Sequence, residues 1–298
     1  KLESEIQEYN NGNIEKGTLR YQFLLMNARH LIDYDKFFSE VDIHKIADFL
    51  SEQENQKQKS DIEIIYDSLK QKDLIEKECF KNNNDLNSVC MPFSIKLIES
   101  KVFYDCKKLV QITIPYSVTS IGEFAFNGCS KLRNITIPSS VTSIKKYAFN
   151  FCTNLMTIIL PCSLKSIEEG VFANCSSLVK IVIPLSVTSI KKSAFQKCSK
   201  LVQIYIPNSV TSIGCVAFNG CCSLEQISIP SSVTSIGNGA FYDCSKLKQF
   251  SIPSSISIIN DNTFFDCKSL VNITIPSSVT AIGSFAFSGC CSLGQIYI

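Results

Sequence analysis

All nine prolines of this chain lie on one spacing of 23 residues, from Pro92 to Pro276. Phe103 and Cys106, in the first full unit, recur at the same step. Residues 92–298 therefore form nine consecutive units without an insertion. A unit of this length cannot bury its own apolar face, so neighbouring units must cover it. The spacing predicts a solenoid of stacked coils with one continuous core.

Each unit follows the pattern P-S-S-V-T-S-I-G-x-x-A-F-x-x-C-S-x-L-x-x-I-x-I, and its fixed apolar columns predict the inward-facing side chains. The stretch L-x-x-I-x-I, which includes Ile112 and Ile114, predicts a short strand because its β-branched residues alternate. Proline ends that strand, since it has no N–H for a ladder. V-T-S-I predicts a second extended arc, and A-F-x-x-C predicts a single helical turn. We therefore expect an α/β repeat solenoid with parallel strands.

The unit I-P-x-x-V-x-x-I-G-x-x-A-F-x-x-C-x-x-L-x-x-I-x-I, seen from Ile114 to Ile298, resembles the leucine-rich repeats of the BspA-like type, also called the Treponema pallidum type. The resemblance covers about two-thirds of the chain. Such repeats occur in surface proteins of oral bacteria and of protists such as Trichomonas. The resemblance implies an adhesive or protein-binding solenoid, and it supplies no catalytic residue.

The chain before the array has a different composition. Residues 72–91 keep several apolar columns, including that of Phe80, and we expect a degenerate capping repeat there. Residues 1–71 contain no proline and show helical patterning, so we expect a small all-α N-terminal segment. Because the chain begins with Lys1 and stops on a strand residue, Ile298, we also expect it to be part of a longer protein.

Several classes of chemistry lack their signature residues. The chain has two histidines, His30 and His44, and both precede the array, so zinc-ligand spacing and a histidine-dependent nucleophile are missing from the repeats. No phosphate-binding glycine motif occurs. We therefore expect no enzyme activity, cofactor or metal. A formal net charge of +2 gives no reason to expect a nucleic-acid partner. Without an apolar run of about 18 residues, we expect no direct membrane insertion.

Cysteine occupies one repeating column, with further cysteines outside it. A small buried thiol explains the column most simply. Disulfides or metal sites between stacked coils are the alternative, although parallel side chains disfavour the disulfide dihedral angle. The cysteines outside the column are expected to be exposed and reactive, and they are Cys79, Cys90, Cys162, Cys215, Cys222 and Cys291. This usage fits a reducing compartment slightly better than an oxidising one.

Two polar columns repeat along the array. Threonines recur from Thr119 to Thr280, and generic strand propensity explains them more simply than ordered water does. Lysine pairs at 145–146 and 191–192 alternate with the glutamate pair at 168–169 in one column. We interpret this alternation as a solvated face that avoids self-repulsion, with an anion-binding patch as the alternative.

The outward positions of the first strand vary from unit to unit, and extended faces of this kind are where solenoids bind. The candidate ligand-binding residues are Gln111, Thr113, Arg133, Thr136, Lys180, Gln203, Tyr205, Glu225, Gln226, Lys248, Gln249 and Tyr297. The middle position is usually an amide and is expected to form a structural ladder, so the flanking positions are the better candidates. The alternative is that these residues only keep the surface soluble.

The sequence predicts a non-enzymatic protein-binding and adhesion module that acts at a cell surface, with a protein partner such as a host or extracellular-matrix protein. The alternative is an intracellular scaffold or adaptor located in the cytoplasm. That alternative depends on the stretch from Phe37 to Leu69, which is weakly similar to helical segments that follow BTB domains. In that case the N-terminal helices belong to a larger, BTB-associated module.

Overall fold

The structure is a computed structural model that describes residues 74–297. The all-α segment predicted for residues 1–71, together with His30 and His44, lies outside the described residues. Within the described range each 23-residue unit forms one coil, and all coils but one combine a three-residue strand, a proline turn, a two-residue strand and a run of turns.

The three-residue strands form the face of the solenoid that we call the strand face. They are β2 (Ser88–Cys90), β4 (Gln111–Thr113), β6 (Asn134–Thr136), β8 (Thr157–Ile159), β10 (Lys180–Val182), β12 (Gln203–Tyr205), β15 (Gln249–Ser251), β17 (Asn272–Thr274) and β19 (Gln295–Tyr297).

The two-residue strands stack along another side of the coils and pair in three separate ladders. They are β1 (Leu74–Ile75), β3 (Leu97–Ile98), β5 (Ser120–Ile121), β7 (Ser143–Ile144), β9 (Ser166–Ile167), β11 (Ser189–Ile190), β13 (Ser212–Ile213), β14 (Ser235–Ile236), β16 (Ile258–Ile259) and β18 (Ala281–Ile282).

The paired strands are parallel and in a register of one unit. Ile181 pairs with Ile204 on the strand face, and Ile190 pairs with Ile213 among the two-residue strands. This register confirms the predicted parallel solenoid. It also extends before Pro92, because Leu74 pairs with Leu97. The assignment of residues 72–91 as a cap, and the domain boundaries themselves, stay predictions.

Strand pairing on the strand face is not continuous, because β4 does not pair with β6 and β8 does not pair with β10. One coil also has no strand on this face. Residues 226–228 form no strand, so β12 and β15 are not bridged by a ladder. The side chain of Ile227 is nonetheless buried. The core thus continues through this coil while the backbone ladder on its strand face does not.

The predicted helical turn is wrong, and the α/β class with it, because residues 74–297 contain no helix. The A-F-x-x-C stretch is a run of turns whose amides alternate between two kinds of partner. The Cys106 N–H donates to the Phe103 carbonyl at 3.2 Å within the coil, whereas the Phe103 N–H donates to the Ala125 carbonyl at 2.8 Å in the next coil.

Backbone dihedrals explain why a helix does not form there. Lys101 has φ of 59° and Asp105 has φ of 56°, and the equivalent residues of the other coils are left-handed as well. An α-helix needs φ near −63° at every residue. Two left-handed residues four positions apart therefore limit the segment to separate turns. They also direct alternate N–H groups toward carbonyls of the neighbouring coil.

Phenylalanine forms the centre of the core. From Phe103 to Phe264 these rings are at most 1% exposed, and neighbouring centroids are 5.2 to 5.9 Å apart in stacked geometry. Isoleucine, valine, leucine and alanine columns surround them, as predicted. Because each ring packs against the rings of both neighbouring coils, burial is shared along the array.

Candidate protein-binding face

Strand alternation determines which side chains reach the strand face. In β10, the middle residue Ile181 points into the core, whereas Lys180 and Val182 point outward. The twelve candidate residues all lie along this face. All of them are exposed except Thr136, which is half-buried. Sequence alone therefore placed their side chains correctly, and their role in binding stays a prediction.

The structure brings some of these candidates side by side. Lys180 is the register partner of Gln203, and Val182 is the partner of Tyr205. Gln226 lies in the coil that has no strand, so no ladder fixes it beside Gln203 or Gln249. Within the amide column, the Thr157 hydroxyl donates to the Asn134 side-chain oxygen at 2.8 Å.

The main feature that sequence reasoning passed over is a patch of exposed apolar side chains in three consecutive coils. We call it the apolar patch, and it consists of Met156, Ile159, Val179, Val182, Val202 and Tyr205. Their side chains are between 42% and 63% exposed. Leu185, just beyond Pro184, is 77% exposed. Contiguous apolar surface of this kind commonly marks an interaction site.

The patch has a signal in the sequence. Only in these three units do apolar residues fill both flanking columns of the strand. The corresponding pair is Arg133 and Thr136 in the unit before, and Glu225 and Ser228 in the unit after. Comparing the two columns jointly across copies would have found the patch, whereas a preference for polar candidates hides it.

Backbone hydrogen bonds join the first flanking column from coil to coil. The N–H of Met156 donates to the Arg133 carbonyl at 2.9 Å, that of Val179 to Met156 at 3.4 Å, and that of Val202 to Val179 at 3.2 Å. Arg133 therefore adjoins the apolar patch at one end. Past the other end, Glu225 forms an ion pair with Lys248, with 2.8 Å between Nζ and Oε2.

The opposite side of each coil, which carries the turns and which we call the turn side, holds a separate charge cluster. Glu169 lies between two lysines, 3.3 Å from Lys146 Nζ and 3.9 Å from Lys192 Nζ, and it accepts a hydrogen bond from the Tyr147 hydroxyl at 2.9 Å. The Tyr147 bond first, and then the lysines, lower the pKa of Glu169. The alternating charges thus pair across coils, in agreement with the predicted avoidance of self-repulsion.

A shallow groove of about 510 Å³ also lies on the turn side. Phe151, Asn174, Lys197, Tyr242 and Asp243 are among its lining residues. Lys197 is the basic residue among them and Asp243 the acidic one. None of the strand-face candidates contributes to this groove, so it is separate from the apolar patch.

The column cysteines are structural. Each thiol from Cys106 to Cys290 donates to the carbonyl of a phenylalanine 26 residues earlier, at 3.0 to 3.3 Å. Burial raises the pKa of these thiols, to about 12 for Cys106 and well above the ordinary value for Cys198. The column is therefore a ladder of weak donors within an apolar core, which sequence reasoning had treated as packing alone.

Four of the cysteines outside the column, Cys79, Cys162, Cys215 and Cys291, are exposed as expected, whereas Cys90 and Cys222 are half-buried. The described cysteines form no disulfide. Among residues 74–297, no three histidine, cysteine, aspartate or glutamate side chains are grouped so that they could hold a metal ion. The same range contains no helix that could cross a membrane.

The 23-residue register, the stacked phenylalanines and the parallel strands together describe a leucine-rich-repeat solenoid. The profile of the BspA type leucine rich repeat region matches residues 73–202 and 188–298, in six copies. The chain belongs to the BspA-type leucine-rich repeat family. Comparison with curated proteins gives no significant match.

Solved BspA-type and related solenoids share this fold. A leucine-rich repeat protein from Bacteroides ovatus is 29% identical, with a TM-score of 0.56 over 74% of this chain and 68% of that one. A leucine rich cell surface protein from Faecalibacterium prausnitzii is 31% identical, with a TM-score of 0.50 over 75% and 82%. The pneumococcal vaccine antigen PcpA, at 23% identity and a TM-score of 0.52 over 70% and 61%, shows the fold alone.

Proposed function

We propose that this BspA-type solenoid is a non-enzymatic protein-binding module that acts through its strand face, in adhesion at a cell surface. The observation that carries the proposal is the apolar patch. Its six side chains lie on three adjacent coils and contribute little to the core, because their strands bury the intervening isoleucines instead. Apolar surface that stays exposed in the folded chain releases free energy when a partner buries it, so it favours association.

Two further observations support this proposal. Solenoids of stacked repeats bind partners through extended strand or helix surfaces. The Faecalibacterium prausnitzii relative, at 31% identity, is described as a cell surface protein. The intracellular alternative depends on residues 37–69, which lie outside the described residues.

The proposal is tested with matched substitutions that leave the net charge unchanged. Val182→Ser and Tyr205→Ser remove the centre of the apolar patch. Ile258→Ser and Phe151→Ser remove side chains of similar exposure elsewhere, because Ile258 is 48% and Phe151 is 49% exposed. Fibronectin, laminin and collagen are immobilised as probes, and binding of each variant is measured by surface plasmon resonance.

We expect saturable binding to at least one matrix protein, weakened about tenfold or more by Val182→Ser or Tyr205→Ser, because buried apolar and aromatic anchors dominate interfaces. The two control variants are expected to bind like the unmodified protein. Equal loss in all four variants would contradict a role for the patch. Absence of saturable binding to every probe would contradict the adhesive function.

A further inference from the structure

Charge is distributed unequally between the two sides of the coils. In residues 92–298, the turn side, between the end of each second strand and the next column cysteine, holds six lysines and eight acidic residues. The remainder of each coil, which includes the strand face and its borders, holds eleven basic residues and a single acidic residue, Glu225. The basic residues are Lys96, Lys107, Lys108, Lys131, Arg133, Lys165, Lys180, Lys200, Lys246, Lys248 and Lys268.

These basic side chains are exposed, and several border the apolar patch. Lys180 lies within it, between Val179 and Val182. Arg133 adjoins it through the backbone bond to Met156, and Lys200 precedes Val202 by two residues. No carboxylate lies in the corresponding stretches 152–167, 175–190 and 198–213 of the coils that form the patch.

Glu225, the one acidic residue on this side, does not offset that charge. It lies one coil past Val202 and is paired with Lys248 at 2.8 Å. The Lys248 ammonium lowers the pKa of Glu225 through this hydrogen bond, and its positive charge offsets that of the Glu225 carboxylate. The stretches of the three coils that carry the apolar patch thus hold the basic residues Lys165, Lys180 and Lys200 and no carboxylate.

A partner that fits must match both features. A sulfated polysaccharide or a nucleic acid would use the basic residues but leave the aliphatic patch, whose sole aromatic residue is Tyr205, without apolar contacts. A protein segment that carries apolar side chains among aspartates and glutamates would bury the patch and place its carboxylates near Arg133, Lys180 and Lys200, which we call the basic border. Three coils at about 4.8 Å spacing give such a segment about 10 Å of contact along the array.

We infer that the strand face selects an acidic protein segment that inserts apolar side chains into the patch and places carboxylates against Arg133, Lys180 and Lys200. This inference rests on the proposed function, and it narrows the partner class within it. The basic border determines that the partner carries a negative charge and raises its rate of association, whereas the apolar patch supplies the larger part of the affinity.

The test is a selection of random displayed peptides on the unmodified protein. We expect enriched peptides to combine leucine, phenylalanine or isoleucine with a negative net charge. Their binding should weaken about three- to tenfold with Lys180→Glu and should fall as salt rises, since exposed charges are screened. Lys145→Glu, which makes the same charge change at an exposed lysine on the turn side, is expected to have little effect.

Heparin is run as a second probe, and each remaining outcome has a distinct meaning. Enriched peptides that are neutral or basic, yet lose binding with Val182→Ser, would overturn the acidic partner and leave the proposed function standing. Peptides whose binding is unchanged by Val182→Ser and by Tyr205→Ser would overturn both the acidic partner and the proposed function. Heparin binding that needs Lys180 but not Val182, with no patch-dependent peptide, would overturn the inference in favour of an anionic glycan.

Discussion

The turn side and the strand face of one coil differ in what determines their residues. On the turn side, Phe195 stacks on the rings of both neighbouring coils, and Cys198 donates to the Phe172 carbonyl. On the strand face, Val182 and Tyr205 point away from the core. Interior residues must fit the same space in every copy, so they repeat. Outward residues lack that constraint, so their variation can be used for recognition.

The largest expected effect that would test this contrast is alkaline unfolding. Buried column thiols such as Cys129, Cys152 and Cys198 have a pKa raised well above the ordinary value of 9.0 by loss of hydration. Below pH 9 the folded and unfolded chains are both protonated. Above it the unfolded chain releases protons that the folded chain keeps, so the free energy of unfolding falls as pH rises.

Each such thiol lowers the free energy of unfolding by about 1.4 kcal/mol per pH unit above pH 9, and the contributions of several thiols add to a steep slope. Urea denaturation followed by circular dichroism at successive pH values measures the slope. Cys198→Ala should make the slope shallower by the contribution of one thiol, about 1.4 kcal/mol per pH unit. Cys162→Ala, which removes an exposed thiol, should leave it unchanged. Equal slopes in the two variants would show that burial is not the cause.

The next largest effect compares two aromatic residues. Phe195→Ala leaves a cavity in the ring stack and should cost about 3–5 kcal/mol, because the rigid neighbouring coils collapse only partly into the space. Tyr205→Ala, on the strand face, should cost less than about 1 kcal/mol, since this side chain is 61% exposed. Urea midpoints of the two variants give the comparison. Similar losses would contradict the division between the two sides.

A smaller effect is expected from the threonine ladder beside the second strands. The Thr211 hydroxyl donates to the Thr188 carbonyl at 3.1 Å, and the Thr211 N–H donates to the same oxygen at 2.9 Å. Thr211→Val removes one of these bonds and should cost about 1 kcal/mol. Thr113→Val, an identical change at an exposed strand-face threonine, should alter stability by less than about 0.5 kcal/mol. Urea midpoints give the loss of stability in both variants. Equal losses would contradict a structural role for the threonine ladder.

The smallest effect concerns the ion pairs on each side. Glu169→Gln should cost at most about 1 kcal/mol in low salt and less in high salt, since its lysine partners are solvent-exposed. The pKa of Glu169 is lowered, so its contribution is present above its ordinary value of 4.5 and is lost as pH falls. Glu225→Gln should leave the urea midpoint unchanged. A salt-independent loss for Glu169→Gln would contradict a surface ion pair.

The sequence predicted the register and the core because both depend on columns that repeat. Ile112, Phe126 and Leu132 are buried where the unit pattern placed them. The helical turn was wrong because apolar spacing within A-F-x-x-C does not report the sign of φ. The residue before each column cysteine, often aspartate, asparagine or glycine as at Asp105, Asn174 and Gly220, carried that information.

Other features depend on relations between coils and were harder to predict. The missing strand at residues 226–228 occurs in a unit whose Gln226 and Ile227 match other copies, so its local sequence does not predict the loss. The apolar patch depends on three neighbouring units carrying apolar residues in the same two columns. The pattern within a single unit cannot show either feature.

Since each coil presents the same upper and lower surface, a unit can be added or removed without creating a new packing interface. Ile190 would meet Ile236 much as it now meets Ile213 if the coil between them were deleted. The number of coils on either side of the apolar patch can therefore change while the three coils that carry the patch keep their packing.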